Sequence, residues 1–196
     1  MKQSESPFSN LILAKETPYQ PDGQLNWLAG TPTHDEWTIG ERQAARLPSQ
    51  LESVVASAQE NGIALPAVFV DFIRAPELHQ HVRSVTDDYL KLPTRVLGFG
   101  GGYLVRFLAD QQGCAYWYLY LNSNGSDHCV VMSYELFDLD QMDYEVEEIE
   151  ARDFFFVAES FERFMCQYWI SHEVRFARYD GTPLPVDARF MDIYSS

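Results

Sequence analysis

The chain has 196 residues, 46% hydrophobic and 14% aromatic, with 14 basic and 29 acidic side chains for a formal net charge of −15. A chain of this length closes over one core, buries roughly 70% of its unfolded surface, and needs neither a metal nor a disulfide to fold. The charge argues against DNA, RNA or an anionic membrane as ligand, since those require Lys and Arg against phosphate, and it suits a basic partner steered in from solution.

Along the chain, residues 1–47 read as an N-terminal arm or wrapping segment. Pro7, Pro18, Pro21 and Pro32 interrupt it, while Leu11, Ile12, Leu13, Leu25, Trp27 and Leu28 could dock it on a core. "NLILA" (10–14) is too short for a secretory core, and no run is long enough to cross a bilayer. The expectation is a cytoplasmic protein with reduced, buried thiols at Cys114, Cys129 and Cys166. Thr33, with Glu36 three residues on, predicts a short capped helix.

Residues 48–196 read as one α+β domain. After Pro48, Leu51, Val54, Val55 and Ala58 share a helical face, and Asn61-Gly62 ends the helix. Pro66 opens a second helix whose apolar face is Val68 or Phe69 with Phe72 and Ile73, and Pro76 breaks or restarts it. "SVTDDYLKLP" reads as a short extended segment. Gly98, Gly100, Gly101 and Gly102 follow. A dinucleotide fingerprint would need a glycine where Tyr103 stands, and a helix where a strand begins. These glycines therefore serve positive φ or close backbone approach at the entry to a sheet.

From there the period is two. Tyr103, Val105, Phe107 and Ala109 point one way; Leu104, Arg106, Leu108 and Asp110 point the other. Turns at 110–113 and 122–125 join this strand to "CAYWYLYL" and "HCVVMS", giving a three-stranded antiparallel meander. The second turn would pair Cys129 with about residue 120, several pairs from Cys114, and both cysteines are expected to pack as strand residues. Residues 134–153 carry nine acids and one base. Phe154 to Val157 is a closing strand. Ser160 caps a helix whose Phe161, Phe164, Met165, Tyr168, Trp169 and Phe176 form one stripe. The predicted fold is α+β, with a mostly antiparallel sheet, a central three-stranded meander and helices packed on one side.

No catalytic residue, cofactor or metal site is expected. His79 and His81 lie about 200° apart on a helix and cannot share an ion there, and no G-x-S-x-G or EF-hand spacing occurs. Tyr116, Tyr118 and Tyr120 alternate with Trp117, Leu119 and Leu121, so one face is core. The tyrosine face is either covered by the arm or open to a partner. The candidate partner-binding residues are Tyr116, Tyr118, Tyr120, Asp138, Asp140, Asp143, Glu145, Glu147 and Glu148.

The helix ending in "IALPAVFVDFI", the strands "YLVRFLADQQGCAYWYLYL" and "CVVMS", and the closing "SFERFMCQYWISHEVRF" together resemble the SUKH superfamily over roughly residues 48–178. That superfamily includes yeast cell-wall-synthesis regulators and many bacterial immunity proteins. The chain departs from it at "RAPELHQHV", where a glycine-bearing turn belongs, and in residues 1–47, which have no counterpart. The resemblance implies a non-enzymatic module that binds another protein, in bacteria a cognate and here basic toxin, with no nucleic-acid or membrane partner. A regulatory or scaffold protein of the cell-wall type is the alternative. An enzyme working at the tyrosine face with His128 or Asp110 is the third reading.

Overall fold

The computed structural model describes residues 15–125, 127–138 and 149–194. Over these the fold is α+β: one antiparallel sheet with helices packed to one side. In chain order the elements are α1 (Asn26–Ala29), α2 (Leu47–Glu60), α3 (Ala67–Arg74), α4 (Pro76–His79), β1 (Tyr89–Leu90), β2 (Leu97–Phe99), β3 (Gly102–Ala109), β4 (Tyr116–Leu121), β5 (His128–Ser133), β6 (Phe155–Ala158), α5 (Phe161–Asp180) and α6 (Phe190–Ile193). The strand order is β1-β3-β4-β5-β6, with β2 also on β3.

The expected meander is β3-β4-β5, and Cys129 pairs with Tyr120. The glycines close a hairpin that the sequence reading missed. β2 pairs antiparallel with β3 across Gly100 and Gly101, both at positive φ (58° and 78°), which favours a two-residue hairpin turn. A Cβ at Gly102 would collide with the Leu121 carbonyl, so that glycine serves close approach of strands.

Strict alternation fails once in β3. Arg106 opposes Tyr118 and Leu108 opposes Trp117, leaving Phe107 as the extra residue of a bulge. Val105, Phe107 and Leu108 therefore all enter the helix-side core, against the expectation that Leu108 would share a face with Leu104 and Arg106. On β4 the alternation holds. Leu119 and Leu121 join the helix-side core, and Tyr118 and Tyr120 join a second cluster on the opposite face.

α5 organises the first core. Ser160 caps it, its side chain accepting from the Arg163 amide at 3.1 Å, and Gly181 ends it at φ 67°. Phe161 meets the rings of Phe69, Phe72 and Phe107 at 5.1–5.5 Å. Such edge contacts add about 0.5–1.5 kcal/mol each beyond burial.

Leu25, Leu28 and Ile39 from the arm lie in this same core, and Trp27 and Tyr19 pack on Trp169. The carboxylate of Glu162, buried near the start of α5, pins the arm. It accepts from the amides of Asp22 and Gly23 and from the Trp27 indole. Thr33 caps no helix. The His34 and Ile39 amides donate to the carbonyls of Gln80 and Val82, so the segment bends through residues 35–37 and is tied beside residues 80–84. Among the described residues, no helix is long and apolar enough to cross a membrane.

Candidate functional site

The expected tyrosine surface is a second, small core. Tyr118 is fully buried; its hydroxyl donates to the Glu135 carbonyl and accepts from the Phe137 amide. Tyr120 is buried too, donating to the Gly100 carbonyl, and Tyr116 is half-buried at the end of the strand. Among the described residues their cover comes from Phe99 of β2, which meets Tyr120 at 6.4 Å, and from the flanks of the acidic stretch, where Phe137 and Phe154 lie 5.0 Å apart and Phe154 meets Tyr118 at 5.6 Å. Burial pushes the phenols of Tyr118 and Tyr120 above their ordinary range.

Asp138 is also interior, against the expectation of a surface acid. Its carboxylate lies 2.7 Å from the guanidinium of Arg106, each side chain only 1% exposed. Arg106 projects from β3 onto the tyrosine face, and among the described residues Asp138 is the acid that compensates its buried charge. Asp140, Asp143, Glu145, Glu147 and Glu148 lie outside the described residues.

The histidines serve the fold. His79 donates from Nε2 to the Phe72 carbonyl, and burial holds its pKa down. His128 accepts at Nε2 from the Phe161 amide, satisfying a donor at the start of α5. His172 accepts at Nδ1 from the Val85 amide; burial, aided by the charge of Arg175, lowers its pKa to about 3. Asp110 ties its own turn through the amides of Gln112 and Cys114. Cys114 is exposed in that turn rather than packed in a strand, while Cys129 and Cys166 are buried, and all three are free thiols. Among the described residues, no group of three or more His, Cys, Asp or Glu could hold a metal ion.

The surface that stands out is centred on Trp37. Its side chain is 53% exposed and its backbone has φ 64°, a left-handed conformation costing about 1–3 kcal/mol in a non-glycine residue. Neighbouring bonds impose it. The Ser84 amide donates to the Trp37 carbonyl at 2.9 Å, and Thr38 bridges to Arg83. Trp37 lines two clefts, of about 890 and 510 Å³, and Asp35 lines both and a third of about 810 Å³. The 890 Å³ cleft has Trp37 in one wall and residues of the last turns of α5, including Phe176 and Tyr179, in another; Tyr179 is 91% exposed.

Charge in this cleft is set by one network. Arg83 forks onto buried Glu173, Nε to Oε1 at 2.8 Å and a terminal nitrogen to Oε2 at 3.0 Å, and lies over the Phe176 ring at 3.9 Å. His34 Nε2 stands 3.3 Å from the same carboxylate. Burial pushes Glu173 up, but the nearby His34 ring and the hydrogen bonds and charge of Arg83 outweigh it and hold the carboxyl below its ordinary value. Asp35, Glu36 and Asp180 remain as exposed acids around the cleft. The sequence carried one signal for this site, a tryptophan directly after two acids in "DEW". It lacked periodicity and was absorbed into a predicted helix.

No protein-family model matches this chain, and no curated protein or solved structure matches it either.

Proposed function

We propose that this chain is a non-enzymatic protein-binding module that engages a basic protein through the ridge and clefts around Trp37. Trp37 carries the reading. A large aromatic side chain is held half-exposed on strained backbone and flanked by Asp35 and Glu36. Tryptophan and tyrosine are the side chains that dominate binding energy at protein interfaces, and strain of this kind gathers where function requires it. The net charge of −15 favours a basic partner and accelerates its encounter. Tyr118, Tyr120 and Asp138 are reachable only if the segments over them leave, so they are not the docking residues in this reading. Buried His79 and His172 and half-buried His128, each committed to a backbone hydrogen bond, suit a binding role better than proton transfer.

The resemblance to the SUKH superfamily supplies the partner's class: a cognate toxin, which this chain neutralises in the cytoplasm. Co-expression with the toxic product of the adjoining gene should restore growth and yield a complex that Trp37→Ala weakens at least tenfold. Absence of both rescue and complex would remove the toxin reading. A complex with a housekeeping protein instead would place the chain with the regulators.

A further inference from the structure

We propose that the cleft between Trp37 and the end of α5 is a receptor for a single arginine side chain of the partner. The biological partner rests on the protein-binding reading above; the chemistry of the cleft does not. Three independent features select a guanidinium. The first is aromatic: Trp37 and Tyr179 line the cleft and are largely exposed, and guanidinium groups bind aromatic faces.

The second is charge. Asp35, Glu36 and Asp180 line the cleft; of the two arginines among its described lining residues, Arg83 is neutralised by Glu173, which leaves Arg175. α5 also ends here after 20 residues, so its negative dipole end adds to the attraction for a cation. Arg178, in the same last turn, reaches instead toward the Met191 carbonyl at 3.4 Å.

The third is a precedent inside the cleft. Arg83 stacks on Phe176 and forks onto a carboxylate there. An incoming arginine would repeat the arrangement one layer out, between exposed rings and exposed acids. Lysine, a compact and strongly hydrated ammonium, lacks the planar face and the fork.

The test uses the full chain and a capped Gly-Ser-Arg-Ser-Gly peptide, followed by the Trp37 indole resonance in ¹⁵N-labelled protein, assigned with Trp37→Phe. The arginine peptide should bind at least tenfold more tightly than its citrulline counterpart, a neutral isostere, and at least threefold more tightly than the lysine peptide. Tyr179→Ala, at a position too exposed to disturb folding, should weaken it at least threefold, and Tyr134→Ala, outside the cleft, should leave it unchanged. Equal binding of the citrulline or lysine peptide, or indifference to Tyr179→Ala, overturns the proposal. Peptide binding without any toxin complex would keep the arginine site and remove the toxin reading. A toxin complex without a peptide response does the reverse.

Discussion

Arg106 and Asp138 show what a side chain's neighbours do to its meaning. In the sequence Asp138 belongs to the acidic run that begins at Glu135, and it reads as solvated charge. In the folded chain it lies 2.7 Å from Arg106, a residue 32 positions earlier, in a site closed to water. Removing one partner of a buried pair strands the other, at about 3–5 kcal/mol, whereas apolar replacement of both is often near neutral. Arg106→Met should therefore lower stability by about 3–5 kcal/mol in urea unfolding, and Arg106→Met with Asp138→Leu should recover most of the loss. Equal loss in the single and double variants would show that the pair is not acting as a unit. Phe107 carries the same lesson: no local preference announces that it is the bulged residue. The bulge turns Leu108 to the helix side while Arg106 still faces Tyr118.

At the scale of elements, local rules worked where they operate locally. Ser160 and Gly181 bound α5, Asn61-Gly62 ends α2, and the period-two pattern of β4 sorts its residues to the two faces. They failed where an element is set by a distant one. β2 is only three residues long and exists because β3 pairs with it. Residues 33–36 form no helix, and the His34 amide is spent on the Gln80 carbonyl, 46 positions away. One fastening of the arm is Glu162, whose two oxygens serve three donors from residues 22–27. Glu162→Ala would leave those donors unpaired, and hydrogen bonds to a charged group are worth about 1.5–3 kcal/mol each. Limited proteolysis should then cut within residues 15–30 well before the body of the chain, with a drop in Tm. A cleavage pattern unchanged from the parent would show that the arm is held without Glu162, by the burial of Leu25 and Leu28 and by the Tyr194 hydroxyl on the Glu16 carbonyl.

For the whole molecule, titration of buried groups sets the response to acid. His172 has its pKa lowered to about 3, so between its ordinary value near 6.5 and that point the unfolded chain binds a proton that the folded chain refuses. Stability must fall as pH drops through this window, and His79 and His128, also lowered, act in the same direction. Glu173, held below its ordinary value, adds the same sign at lower pH. Asp88 opposes them. Burial raises it despite hydrogen bonds from Tyr168 and Thr86, so its contribution is present at low pH and lost as pH rises through its folded value. His172→Gln, which cannot take up that proton, should flatten the fall between pH 6 and 4 by about one proton, or ~1.4 kcal/mol per pH unit. An unchanged slope would show that His172 is not the group responsible. The sequence by itself determined the α+β class, the meander, both ends of α5, the end of α2, the register of β4 with β5 and the acidic charge. Each follows from periodicity, turn chemistry or composition within a few residues. Only the tertiary structure decided that the tyrosine face is interior, that Asp138 neutralises Arg106, and that Trp37 and Tyr179 line one cleft although 142 positions separate them. Those outcomes depend on which distant surfaces exclude water from each other, and no local pattern encodes that.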